Sequence, residues 1–220
     1  MGIPLLIGRR RLLRTPAGGG GGTTVESIGG VGAAATSFII NPASLGAQDG
    51  DFMHVMSVWE SNNAVTTPAG WTEHIDETAA FGNAFARWSW ASRVISGSPP
   101  GDTTFSYGGS TNLAYTWVIL RGGPSSMGTV TKNTPTLGTG AFSIPVTVGS
   151  EGALVFYAAD GSTQDPTAVA DMTNVDVNGR AEDLAGMYAE VGWLTANATV
   201  AAGTSPFDKG ISGWMWAPIS

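Results

Sequence analysis

Apolar and polar residues alternate over short stretches of this chain, and Gly, Pro and Asn/Asp interrupt the pattern every few positions. Period-two alternation places one face of a strand on a core and the other outward, so the pattern predicts strands rather than helices. The predicted strands are 37–40, 52–59, 71–76, 84–95, 103–107, 113–121, 141–148, 153–159, 173–177, 184–192, 198–202 and 213–219. Turns are expected at Pro68-Ala69-Gly70, Gly108-Gly109, Gly122-Gly123-Pro124 and similar clusters, where Gly allows positive φ and Pro presets a corner. No helical period of 3.6 emerges. The expectation is an all-β, jelly-roll-like antiparallel β-sandwich of about twelve short strands.

The alternation also assigns faces. In 84–94, Trp88 and Trp90 share one face with Ala84, Ala86, Ser92 and Val94, while Arg87 and Arg93 lie on the other. The Trp face is expected in the core, with the arginine stems flat over the outer face. The two halves resemble each other. Residues 50–56 align with 152–158, and 113–120 align with 211–218. One half alone would leave a one-sided core, so residues 36–220 are read as one sandwich domain closed by both halves. Two tandem mini-domains are the alternative, each near the lower size limit for an independent core.

Composition narrows the class. The 220 residues are 42% hydrophobic and only 12% charged, with 32 Gly, 12 Pro and 8 Trp. This excludes a coiled coil and a disordered chain. The absence of Cys removes disulfides and thiolate chemistry.

The net charge of −7 is unevenly spread, because Arg9, Arg10, Arg11 and Arg14 precede any acid. A disordered tail is one reading of this segment; the other is an arm that orders against a neighbouring subunit, favoured because Leu5, Leu6, Ile7, Leu12 and Leu13 are apolar for a solvated tail. The apolar residues precede the basic ones and Pro4 breaks them, which is neither a secretory signal nor a membrane span. Gly18–Gly22 form a flexible run without the Gly-Lys-Ser/Thr of a phosphate loop. Residues 1–22 are therefore read as an arm plus glycine hinge, and 23–35 as a Gly/Ala-rich linker. The acidic body argues against general nucleic-acid binding.

From Asn41-Pro42, through Gly50-Asp51-Phe52 and Thr66-Thr67-Pro68-Ala69-Gly70-Trp71-Thr72, to the Trp-bearing end 213–219, the chain resembles a family of β-sandwich modules in tailed-phage structural proteins. The resemblance covers roughly residues 37–220 and carries no catalytic residues with it. It implies a virion location, in a head-decoration, tail-tip or tail-fibre part. The basic arm is not part of the family's pattern.

Chemical motifs are sparse. His54 shares parity with Phe52, Met56 and Val58, which reads as a structural histidine, with a ligand or base as the other reading; His74 is the second histidine. Neither Gly-x-Ser-x-Gly nor His-Glu-x-x-His occurs. The loop Asp160–Asp165 is the best calcium candidate but lacks EF-hand spacing, so no metal or cofactor is expected. Nothing sets a glycosidase separation for Glu182 and Asp183. Most Trp residues are expected in the core; Trp193, after Gly192 at a strand end, is the candidate exposed ring for stacking on a ligand.

The expected function is that of a non-enzymatic virion protein that forms a homo-oligomer, because its low-charge surface suits side-by-side packing. The anchoring residues are Leu5, Leu6, Ile7, Arg9, Arg10, Arg11, Leu12, Leu13 and Arg14. The alternative is a carbohydrate-binding module recognising host surface glycans.

Overall fold

A computed structural model describes residues 22–60, 63–78, 86–133, 143–160, 172–182, 187–201 and 211–220. The anchoring residues between Leu5 and Arg14, and most of the 160–165 loop, lie outside them. The described residues form antiparallel strands: β1 (Thr24–Ile40), β2 (Phe52–Glu60), β3 (Thr72–Thr78), β4 (Ala86–Val94), β5 (Thr103–Arg121), β6 (Thr131–Asn133), β7 (Ser143–Val146), β8 (Gly152–Asp160), β9 (Val177–Glu182), β10 (Met187–Leu194), β11 (Ala198–Ala201) and β12 (Ile211–Ile219).

Sheet order is β1-β5-β2-β4-β3 in the first half and β6-β12-β8-β10-β9 in the second, with β11-β7 as a separate ribbon. The two five-stranded orders coincide when β1, β5, β2, β4 and β3 are matched to β6, β12, β8, β10 and β9. The halves are thus one topology used twice. Their facing sides share a core containing Phe52, Met56, Trp88, Trp90, Val118 and Leu120 from one sheet, and Leu154, Phe156, Val191, Trp193, Met215 and Ile219 from the other.

Each sheet is also covered on its far side. The end of β1 and the start of β5 pair as a ribbon whose Phe38 stacks on Tyr115, with ring centroids 4.4 Å apart, and whose Tyr107 stacks on Trp59 at 5.2 Å. In the second half the β7/β11 ribbon places Ile144, Val146 and Val200 over Val155, Tyr157 and Trp214. The layers therefore run ribbon, sheet, sheet, ribbon. Burial on both faces explains why β2 and β10 are apolar almost throughout.

Several expectations require correction. Residues 24–35 are no linker: they are the first part of β1, paired with β5 from Thr24 opposite Arg121. Gly/Ala composition hid a strand whose small side chains admit close neighbours. Gly108-Gly109 does not separate two strands, because β5 runs through it. With Gly108 at φ 53° and a pairing shift between Ala35 and Ser37, both strands cross from one layer to the next there. In the second half β9 is Val177–Glu182 rather than 173–177, and the short β6 had no sequence signal.

The repeat is real in topology, but the alignment of 113–120 with 211–218 slips by one residue. Phe52 stands opposite Leu120, whereas its counterpart Leu154 stands opposite Ala217, not Pro218. A slip of one exchanges the faces of a strand.

Candidate functional site

The Pro68-Ala69-Gly70 turn delivers the chain into β3 at one end of the first sheet. Gly70 has φ +83°, a conformation that favours Gly, and a Cβ there would lie 3.1 Å from the Arg93 guanidinium. The next residue, Trp71, is buried and meets Phe105 edge-on at 5.2 Å. The turn motif thus performs two tasks: Trp71 locks it to the core, and Gly70 opens space for Arg93.

Gly70, Thr72 and His74 line one side of a cleft of about 360 Å³. Ser92, Arg93 and Val94 of β4 line another, with Phe52 beside them. The third side is Ser125-Ser126-Met127, from the segment that links the halves. That segment is held to the second half: Met127 bridges Ile219, and the Ser125 and Ser126 amides donate to the Ser220 carbonyl. The cleft therefore opens between one sheet and the terminus of the other.

Its electrostatics differ from the body's. Among the described residues no carboxylate lines it. Among the described residues the other paired cations find acids: Arg87 meets Asp76 at 2.6 Å, Arg121 meets both Asp51 and Glu26, and Lys132 meets Glu77. Arg93, which is half-buried, makes no ion pair or hydrogen bond with any described residue.

Both histidines converge on Ser92. His74 Nε2 lies 2.7 Å from Ser92 Oγ, and burial lowers the His74 pKa. His54 stands directly across from Ser92 in the β2–β4 pairing. Trp90 Nε1–H donates to His54 Nδ1 at 3.3 Å, which leaves the ring proton on Nε2. Complete burial, helped by the nearby His74, lowers the His54 pKa to about 3. His54 is therefore a neutral core residue, as its parity suggests. Ser92 is only 3% exposed and sits inside a strand. It positions His74 by hydrogen bonding and lacks the exposed elbow of an acyl-transfer nucleophile.

The sequence reading missed a second polar cluster. Glu190, fully buried in β10, accepts from the Met172 amide at 2.8 and 3.0 Å, from Asn178 Nδ2 at 2.5 Å and from Tyr188 Oη at 2.6 Å. Its signal was a lone acid in the apolar run 187–194. It ties the incoming chain at Met172 to the sheet.

The expected ligand-stacking role of Trp193 is corrected. Its side chain is 3% exposed and belongs to the core between the sheets. Gly192 is not a strand end: β10 continues to Leu194, and Trp193 pairs opposite Leu154 and Val177. Gly192 is required because a Cβ there would come within 2.7 Å of Val175. Among the described residues no cluster of His, Asp and Glu could hold a metal ion. No protein-family model, curated protein or solved structure matches the chain.

Proposed function

We propose that this chain is a non-enzymatic structural protein of a tailed-phage virion, a head-decoration or tail component that packs as a homo-oligomer and is anchored to neighbouring subunits by its N-terminal arm. The observation that carries the reading is the junction of arm and body. Gly18–Gly22 end immediately before β1, which starts at Thr24 and is zipped to β5 down to Ile40 opposite Thr103. The glycine run, expected from its composition to act as a hinge, thus meets the edge strand of the first sheet, which is paired with β5 along its length. Such a junction lets the arm seat on a partner without disturbing the body, and transmits load into the longest strand pair of the fold.

The arm chemistry suits the task. Leu5, Leu6, Ile7, Leu12 and Leu13 fill apolar grooves, while Arg9, Arg10, Arg11 and Arg14 pair with carboxylates. The acidic body of neighbouring copies supplies such carboxylates. The resemblance of residues 37–220 to phage β-sandwich modules points to the same setting.

Deletion of residues 1–22 tests the reading. The truncated body should fold with unchanged circular dichroism and fail to incorporate into its assembly. Normal incorporation of the truncated protein would refute arm anchoring.

A further inference from the structure

We propose that the cleft beside Gly70 binds an acidic saccharide, through its carboxylate on Arg93. This site is separate from the arm, and nothing in the anchoring role requires it.

Arg93 is a cation without an acidic partner among the described residues. A protein of net charge −7 has many acids available to neutralise its arginines, and Arg87 and Arg121 are neutralised. The Arg93 guanidinium instead lies beside Gly70, and both residues line a cleft with no carboxylate among the described residues. Its planar fork is free to receive a carboxylate in bidentate fashion.

The remaining lining fits a hydroxylated ring. Thr72, Ser125 and Ser126 bring hydroxyls, and His74, held at Nε2 by Ser92, keeps Nδ1 without a hydrogen-bond partner among the described residues. Val94, at 43% exposure, is one of the few exposed large apolar side chains of the described body and lines this same cleft beside Met127. A sugar ring presents both C–H groups and hydroxyls, and the lining residues offer apolar and hydrogen-bonding partners for both. The volume of about 360 Å³ sits at the small end of ligand pockets, so one ring is the expected occupant. A bare inorganic anion would leave the apolar side and the hydroxyls unused. A neutral sugar would leave Arg93 unmatched.

Saturation-transfer NMR and calorimetry on the full chain test this with glucuronate, galacturonate and N-acetylneuraminate, against glucose and acetate as comparators. At least one acidic sugar should bind with a Kd in the range of about 1 mM or tighter, and glucose and acetate should bind far more weakly. Arg93→Gln should weaken that binding by about tenfold or more. Gly70→Ala, which pushes a Cβ against the guanidinium, should weaken it too, and a thermal melt of each variant checks folding. The proposal is overturned if no acidic sugar binds, if acetate binds equally well, or if folded Arg93→Gln binds like the parent.

Discussion

Gly29 of β1 and Gly179 of β9 touch backbone to backbone across the two sheets: a Cβ at Gly179 would lie 2.6 Å from the Gly29 amide nitrogen. The neighbouring Gly30 is equally confined, since a Cβ there would meet the Ala181 Cβ at 2.7 Å. The small residues of β1 therefore set the distance between the two halves at this edge. Gly179→Val should force the strands apart and cost about 3 kcal/mol, in the upper range of overpacking effects. Gly101→Ala, where no atom lies within 4 Å, should shift stability by less than about 0.5 kcal/mol. Urea denaturation of the two variants compares them directly.

His54 makes the fold acid-sensitive. Its folded pKa is lowered to about 3 from 6.5, so the unfolded chain binds the proton more readily. Stability contributed by neutral His54 is fully present above pH 6.5 and is lost as pH falls toward 3. The slope should approach the order of 1 kcal/mol per pH unit within that window. The lowered pKa of His74 acts in the same direction. His54→Gln should flatten the slope, measured as denaturation midpoint against pH.

Trp193→Ala should behave as a core truncation. Removal of this ring from between the sheets is expected to cost about 3–5 kcal/mol. A variant that kept parental stability would return Trp193 to the surface.

Glu190 should prove structural through its partners. Glu190→Ala strips the acceptor from the Met172 amide, Asn178 and the Tyr188 hydroxyl together. The expected loss exceeds about 3 kcal/mol, whereas Tyr188→Phe removes the hydroxyl that donates to Glu190 and should cost about 1–2 kcal/mol. Thermal melts of the two variants give the ratio.

The strands with strict alternation or continuous apolar runs, such as β2, β4 and β8, were legible because burial alone determines their composition. The burial of Trp88 and Trp90 followed from parity. The first part of β1 was not legible: Gly29 and Gly30 are required by close neighbours from other parts of the chain, Trp117 and the Arg180–Ala181 segment, and local sequence cannot display that constraint. Gly108-Gly109 misled for a related reason, since a strand that changes layers needs the same residue as a turn. The cleft was half legible. Pro68–Thr72 stood out as a motif, but its meeting with Arg93 and with Ser125-Ser126 depends on pairings far apart in sequence. Trp193 was misplaced because Gly192 resembled a terminus when it was a packing requirement.

The central structural claim is that the halves share one core and open together. Separating them would expose Phe52, Trp88, Trp90, Leu120, Leu154, Phe156, Trp193 and Ile219 among others. At about 1.5–3 kcal/mol for each large apolar side chain, that exceeds 10 kcal/mol, comparable with the whole stability of about 5–15 kcal/mol typical of a domain. Neither half should therefore unfold while the other persists. Native-state hydrogen exchange under increasing denaturant measures this most directly. The account predicts that the most protected amides of β2 and β8 merge onto one global opening with a single free energy. Exchange of one half through a cheaper opening, with the other half still protected, would contradict it.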